Sequence, residues 1–546
     1  MKIKIKKQRC LSDAAYLRKG SIKMKVKKTI AMVTIAALSA GVFAGCGPQK
    51  SEPGGTASLT WWCKNNANAY IDSYNNIEAF QLMQEKTGTK VTFEHPVVGQ
   101  EAEQFNVLIA SGDYPDLVEY DWAKYPGGAI KAVQDGVIIS LDEYVNEEKM
   151  PNLMKLLKKN PEYMKVIKDA EGSISTLPSF VESPKINAFF GPTIRKDWLD
   201  KLNLKMPETI DDWHTVLTAF KTQDPNGNGQ ADEVPFVDDS TASCQYFAAA
   251  FGAGTGMLLD KSGKVVYSPM TEEFKKYLAT MHQWYEEGLI DHDYASQNRK
   301  SIDYKMTADI GGSYIGYTGS QMGNYVKAKE SDPSYKLAAT QWPKGSDGIA
   351  YCGNEDMKQV KGAYAQLAIT SSNKNVDETI ALIDWLYGEE GSIAKNYGIE
   401  GKSYTKTDNG LEFTDEIMHN KEGKDPVAAL VPYAIPIWGF SGSVMLDDSY
   451  DKISRSYDEQ KEAASLWREA DTSRLLSALA FTAEESEILS DVWNDVHTCT
   501  QEYLAKVILG NDTVDNFDKY VSQLKTMGVD KVVDVYQTAY DRYMSN

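Results

Sequence analysis

The sequence is poor in the residues and motifs on which many enzymes depend. Six histidines occur in 546 residues, which argues against a metal site built on imidazole. The chain has no Gly-x-Ser-x-Gly elbow, no His-Glu-x-x-His pair and no glycine-rich loop for a phosphate. A glycosidase needs only two facing carboxylates, and the 77 acidic residues leave that alternative open.

Basic residues are also scarce and unevenly placed. The chain has 58 Lys and Arg against 77 Asp and Glu, a net charge of −19, which argues against partners such as nucleic acid or an anionic membrane surface. Residues 1–45 hold eleven of the bases and one acid, so the remainder carries −29. With 42% hydrophobic and 25% charged residues the chain is globular. Its length requires at least two lobes or domains.

The head of the chain is predicted to be an export signal that ends at a lipid. Lysines precede the apolar run Thr29–Phe43, which is too short for a permanent membrane span and is typical of a signal peptide over residues 1–45. Cys46 follows Ala-Gly as in the bacterial lipobox, whose thiol is diacylated; the alternative is an ordinary cleavage site with an incidental cysteine. Residues 46–57 then form a flexible tether. Met24 is an alternative start of the same signal.

The remaining cysteines carry little information. Apart from those at positions 10 and 46, they are Cys63, Cys244, Cys352 and Cys499. They are widely scattered and lack metal-ligand spacing. We expect isolated thiols, although one or two disulfides fit an extracytoplasmic protein.

The mature chain begins with alternating strands and helices. The pattern predicts strands at 59–62, 91–94 and 116–120, with helices at 77–87 and 104–111 between them. A β-α-β-α-β order favours parallel pairing, so the fold class is an open α/β sheet. Ligands bind such sheets outside the carboxyl ends of the strands.

Two of these strand ends carry an aromatic ring beside a polar side chain. Trp62 and Lys64 end the first strand, while Asp121 and Trp122 follow the third. Sugars present apolar C–H faces and a rim of hydroxyls, so their sites pair aromatic platforms with charged hydrogen-bonding groups. These four residues are therefore predicted to line a sugar site.

Several segments together resemble one protein family. Residues 110–117, Ala-Ser-Gly-Asp-Tyr-Pro-Asp-Leu, are similar to a hallmark of the family 1 extracellular solute-binding proteins, the receptors of ABC sugar importers. Further similarities follow in the same order at residues 194–202, 207–213, 284–290 and 397–401. The ending, residues 517–543, resembles the LipO-like branch of Gram-positive bacteria.

The resemblance implies a type II periplasmic-binding-protein (Venus-flytrap) fold, with two α/β lobes, a hinge, a ligand cleft between the lobes and extra C-terminal helices. The implied limits are residues 58–177 plus 362–395 for lobe 1 and residues 178–361 plus 396–546 for lobe 2. The chain would first cross near residues 176–179 and return near residues 361–363.

For the second lobe, three loop residues are candidates for the cleft. They are Tyr246, Gln321 and Trp438. Each lies in a loop where an aromatic or amide group could meet a sugar, and ordinary loop packing is the alternative.

A calcium loop is predicted in the middle of the chain. Its candidate ligands are Asp224, Asn226, Asn228, Gln230, Asp232 and Glu233. Four oxygen side chains fall at positions 1, 3, 5 and 9 of an EF-hand-like loop, Gly229 stands at position 6, and Gln230 would offer its carbonyl. Pro235 replaces the bidentate Glu of position 12, so Glu233 or a distant carboxylate must complete a structural Ca²⁺ site. A polar Asn-Gly turn is the alternative.

The resemblance and the strand-end aromatics predict a lipoprotein on the outer face of the cell membrane of a Gram-positive bacterium. It would be a monomer that captures an oligosaccharide and delivers it to the permease subunits of an ABC importer, without catalysis and with the lipid as its only membrane contact. The alternatives are a secreted carbohydrate-active enzyme and a lipid-anchored sugar sensor or adhesin.

Overall fold

The computed structural model describes residues 57–239, 243–360, 365–435 and 440–545. Several predicted features lie outside these ranges: the export signal, Cys46, the tether up to residue 56, Trp438 and the chain return at residues 361–363. Their assignments stay predictions.

Short strands and many helices make up the described chain. The strands β1 to β13 are Ser58–Trp62, Lys90–Glu94, Leu117–Tyr120, Phe180–Val181, Phe190–Arg195, Met257–Leu259, Val265–Tyr267, Ser313–Tyr317, Leu337–Ala339, Gln366–Ile369, Tyr404–Thr407, Gly410–Phe413 and Val444–Met445. The helices α1 to α10 are Glu78–Thr87, Glu101–Ser111, Gly128–Gln134, Pro151–Lys159, Pro161–Ile167, Lys196–Lys201, Ile210–Thr222, Glu272–Glu286, Arg299–Thr307 and Asn324–Ala328. The helices α11 to α19 are Val376–Tyr387, Glu389–Tyr397, Asp415–Met418, Pro426–Leu430, Asp447–Ser454, Asp458–Trp467, Ala483–Ile508, Phe517–Met527 and Val529–Ser545.

The first sheet has the strand order β10-β3-β1-β2. β1 pairs in parallel with β2 and with β3, and β10 joins β3 in antiparallel register from a distant part of the chain. α1 ends at Gly88, whose φ of +69° suits a residue without a Cβ. The predicted β-α-β-α-β segment is thus confirmed.

The first core lies on one face of this sheet. Leu59, Phe80, Leu153 and Ile383 are almost fully buried in it and come from β1, α1, α4 and α11. Phe440 belongs to the same cluster and packs on Trp61 with ring centroids 5.0 Å apart. This face of the sheet is therefore covered by helices that are far apart in the chain.

The second core surrounds an antiparallel sheet of order β8-β5-β9. Its buried residues include Trp198, Trp213 and Trp284, and the C-terminal helices α16 to α19 contribute to it. A Cβ at Gly191 would collide with the Trp467 ring, so glycine lets α16 pack flat against β5. The extra C-terminal helices extend this core.

Among the described residues, β4, β13 and the neighbourhood of Val360 lie between the two cores. β4 pairs in parallel with β13, and the Val181 amide donates to the carbonyl of Val360. Val431, Ile435, Phe440 and Val444 pack in the first core, although the predicted limits assigned residues 396–546 to the second lobe. The lobe limits stay a prediction, for which this packing favours the described parts of residues 58–180 plus 365–443 and of residues 184–358 plus 447–545.

The four cysteines of the described chain are free thiols, and Cys63, Cys244 and Cys352 are buried. Within the same ranges, none of the helices combines the length and apolar character that a membrane span needs.

Candidate functional site

Two predicted polar residues, Lys64 and Asp121, lie at the carboxyl edge of the first sheet. Lys64 is half exposed and forms an ion pair with Glu101 at 3.3 Å, at the start of α2. Asp121 accepts a hydrogen bond from the Ala123 amide at 3.3 Å and lies 3.8 Å from the Lys124 ammonium. Both side chains can present charge at this edge, and their role in binding stays a prediction.

The two tryptophans predicted beside them are buried. Trp62 is 7% exposed and Trp122 is 1% exposed, within a cluster that includes Phe105 of α2 and Tyr120. The Trp122 indole Nε1 donates to the carbonyl of Gln366 at 3.2 Å. In this conformation the Trp122 ring lacks an open face for a sugar, because the helix and the neighbouring rings cover it.

An exposed aromatic surface lies instead at one end of the second sheet. Phe190 begins β5 and stands opposite Tyr317, the last residue of β8. Tyr317 is 45% exposed, and the Phe189 ring lies nearly parallel to it, with centroids 6.0 Å apart and 9° between the planes. Phe190 meets Tyr317 edge-on at 5.0 Å. The sheet therefore holds a flat ring open to solvent and fixed from two sides.

Tyr246, predicted for the cleft, joins this surface. Its ring contacts Phe190 edge-on at 4.8 Å and lies 6.4 Å from Trp342. Burial, with the neighbouring Tyr317 and Glu355, raises the pKa of Tyr246 to about 12, so its hydroxyl stays protonated at neutral pH. We call Phe189, Phe190, Tyr246 and Tyr317, with Glu355 and Asp356 beside them, the aromatic recess.

Gln321, the other predicted residue of the second lobe within the described ranges, is buried behind Tyr317 and contacts its backbone. It is 2% exposed, and its Oε1 accepts a hydrogen bond from the Tyr317 amide at 2.8 Å. A Cβ at Gly316 would collide with the Gln321 amide group, so this glycine allows the close approach. Gln321 therefore positions the backbone of Tyr317.

Two carboxylates complete the recess. Glu355 and Asp356 lie in the turn Glu355–Lys358, and both side chains are open to solvent. Desolvation by the surrounding protein nevertheless raises the pKa of each, and the charge of Asp356 raises that of Glu355 further. A side chain that is accessible to water and also flanked by protein lies in a concave surface. Ligands bind preferentially in such surfaces.

Tyr246 and Glu355 also line a small cavity, together with Gly252, Tyr351 and Arg474. The last three border a larger open pocket of about 1110 Å³, between the start of α7 and the start of α8. Six of the residues predicted to contact the sugar lie within the described ranges. Of these, only Tyr246 lines either of the two spaces.

Sequence reasoning missed most of the recess. Phe189, Phe190, Tyr317, Glu355 and Asp356 lie in three separate parts of the chain and share no motif. A usable signal was the strand Ser313–Tyr317, which carries two tyrosines and ends on the second of them before Thr-Gly.

The predicted calcium loop is folded as a tight, self-bonded turn. Asp224 Oδ1 accepts from the amides of Gly227 and Asn228, and Asp224 Oδ2 accepts from Gly229. Asn226 and Asn228 both donate to Asp232. In the described ranges no three His, Cys, Asp or Glu side chains converge as a metal cluster.

One carboxylate oxygen in this loop has the surroundings of a cation ligand. Glu233 Oε1 is buried and has no hydrogen-bond partner among the residues that the structure describes. Desolvation and the charges of Asp224 and Asp232 raise the pKa of Glu233. The unpartnered Glu233 oxygen and the loop's Asn and carbonyl oxygens are donors of the kind that a hard cation prefers, but the carboxylates would have to move together to form a shell.

Comparisons with known proteins agree with the overall fold described above. The family model described as bacterial extracellular solute-binding protein matches residues 68–393. Fructooligosaccharide ABC transporter substrate-binding protein FusA of Streptococcus pneumoniae serotype 4 is 27% identical over 487 residues, 85% of this chain and 87% of that protein. Polygalacturonan/rhamnogalacturonan-binding protein YtcQ of Bacillus subtilis strain 168 is 23% identical over 534 residues, 94% and 98% of the two chains.

A solved structure is similar in fold. S. pneumoniae FusA in complex with kestose has a TM-score of 0.71 and 23% identity, covering 90% of this chain and 100% of that chain. The predicted two-lobed fold is thus confirmed.

Proposed function

The chain belongs to the bacterial extracellular solute-binding proteins, and we propose that it captures an oligosaccharide for an ABC importer, with the aromatic recess as the binding platform. The observation that carries the proposal is the exposed Tyr317 ring, held parallel to Phe189 and edge-on to Phe190. A flat ring fixed in a concave, polar surface suits the C–H face of a sugar.

The other groups of the recess suit the sugar's hydroxyls. Glu355 and Asp356 can accept two hydrogen bonds each, and the protonated Tyr246 hydroxyl can donate one. Hydrogen bonds to charged groups contribute about 1.5–3 kcal/mol each. Lys64 and Asp121 would supply similar contacts from the first sheet.

Capture without catalysis fits the geometry of the recess. Glu355 and Asp356 are consecutive residues of one turn, whereas a glycosidase needs carboxyl groups on opposite sides of the scissile bond. The relatives FusA and YtcQ are both named as binding proteins. A carbohydrate-active enzyme is therefore the weaker alternative.

Delivery to the permease would follow from closure of the lobes. β4, β13 and residues near Val360 connect the two cores, so bending there would change the separation of the recess from the first-sheet edge. Ligand contacts divided between lobes favour the closed form and shift the population toward it. Lipidation at Cys46 would keep the receptor beside its transporter.

The decisive experiment is calorimetric titration of the mature protein with a panel of neutral and acidic oligosaccharides. We expect micromolar or tighter binding of at least one compound and its recovery intact by chromatography. Absence of binding across the panel would contradict the proposal, and recovery of shortened sugars would favour the enzyme. A deletion strain that still imports the bound sugar would favour the sensor or adhesin.

Calcium would stabilise the loop that contains Asp224 and Glu233. At a Ca²⁺ concentration of 100 times the Kd, binding would add about 2.7 kcal/mol to the free energy of unfolding. We expect Ca²⁺ to raise the Tm by about 2–5 °C and Glu233→Gln to remove the rise. The control variant Glu330→Gln changes an exposed side chain and should keep the rise in Tm. If Ca²⁺ and chelator both leave the wild-type Tm unchanged, the loop is a turn without a calcium site.

A further inference from the structure

We propose that the aromatic recess selects neutral saccharides and rejects saccharides that carry carboxylates. This inference rests on the proposed function and names the substrate class of the same site. The relatives leave the class open, since FusA is named for a neutral oligosaccharide and YtcQ for an acidic polysaccharide. The charges of this chain decide between them.

The two carboxylates are held beside the rings by a locked turn. Asn187 Nδ2 donates to the carbonyls of Asp356 and Gln359 at 2.7 and 2.9 Å. Asn354 Nδ2 donates back to the Asn187 carbonyl at 3.2 Å. Asn187 lies three residues before Phe190, so the turn and the start of β5 move as one body. The negative charge therefore has a fixed place next to the platform.

These carboxylates lack a neutralising partner within the described chain. Neither Glu355 nor Asp356 has an ion pair or a side-chain hydrogen bond among the described residues, and both are open to solvent. Their pKa values are already raised by the surrounding protein, and Asp356 adds to the rise at Glu355. A third carboxylate on a ligand would add repulsion of the same sign.

The cations that border the site are already engaged. Lys64 pairs with Glu101 at 3.3 Å on the first-sheet edge. Lys358 Nζ donates to the Leu475 carbonyl at 2.9 Å, and Arg474 Nε donates to the Leu259 carbonyl at 3.0 Å. Lys358 and Arg474 keep their charge in these hydrogen bonds. A uronate would have to draw one of them away from its carbonyl, or Lys64 from Glu101, to gain the usual cationic partner of a carboxylate.

The test compares kestose, nystose and methyl-esterified trigalacturonate, all uncharged, with trigalacturonate. We expect the tightest uncharged compound to bind at least about 100-fold more tightly than trigalacturonate at 20 mM salt. The difference should narrow at 500 mM salt, because screening weakens the repulsion. Trigalacturonate binding within tenfold of the tightest uncharged compound would overturn the inference while leaving the proposed function intact. Failure of all four compounds to bind would contradict both.

A paired set of variants assigns the effect to the recess. The double variant Glu355→Gln, Asp356→Asn keeps the shape of both side chains. We expect it to reduce the affinity ratio between the uncharged saccharide and trigalacturonate at least about tenfold. The control, Glu502→Gln with Asp518→Asn, removes two exposed charges on α17 and α18 and should leave it unchanged. If the Glu355→Gln, Asp356→Asn variant keeps the full difference in affinity, the carboxylates of the recess are not its cause. Thermal unfolding of the same variant shows that it is folded.

Discussion

The two lobes treat the aromatic residues at their strand ends in opposite ways. In the first sheet, Trp62 and Trp122 are 7% and 1% exposed, inside a cluster with Phe105 of α2. In the second sheet, Tyr317 ends β8 and keeps 45% of its surface exposed, with Phe189 parallel beside it. Residue type and strand position are similar in both lobes. What differs is whether a helix covers the ring, and this decides between core and platform.

The largest expected effect is on stability, from Trp122→Ala. Removing a buried indole leaves a cavity and loses the hydrogen bond from Trp122 Nε1 to the Gln366 carbonyl, so we expect a loss of about 3–5 kcal/mol in the free energy of unfolding. Urea denaturation measures it. Unchanged stability with a large loss of sugar affinity would break the comparison and restore Trp122 as a ligand platform.

The next largest effect is on binding, from Tyr317→Ala. Loss of the open ring should weaken the affinity for the bound oligosaccharide about 10- to 100-fold, equivalent to about 1.4–2.8 kcal/mol. The free energy of unfolding should change by less than about 1 kcal/mol, since little packed surface is lost. Calorimetry and urea denaturation of the same variant measure both quantities.

Tyr304→Ala is the matched control for that variant, because Tyr304 is 66% exposed on α9 and belongs to neither sheet. It should keep full affinity. Equal affinity of the Tyr317→Ala protein and the wild type would remove the recess from the site.

The sequence predicted much of the fold because local patterns specify it. The three parallel strands follow from short apolar runs between amphipathic helices, and α1 ends where Gly88 permits a positive φ. Thr482 and Glu485 have the spacing of a capping box, and each bonds the other's backbone at the start of α17. Features of this kind involve residues that are close in the chain.

The candidate site was harder to predict because its residues meet only after folding. Phe190, Tyr246, Tyr317 and Glu355 are separated by dozens of residues and become neighbours through the β5–β8 pairing and the turn beside Asn187. The burial of Trp122 likewise depends on where α2 packs. Gln321, predicted for the cleft, accepts a hydrogen bond from the Tyr317 amide, a contact that no local pattern indicates.

Hydrogen–deuterium exchange with and without the bound oligosaccharide tests the central claim most directly. We predict the strongest ligand-induced protection in peptides that contain Phe189–Phe190, Tyr246, Tyr317 and Glu355–Asp356. Protection confined to the pocket at the start of α7, or the absence of protection in all four segments while calorimetry shows saturation, would contradict the account.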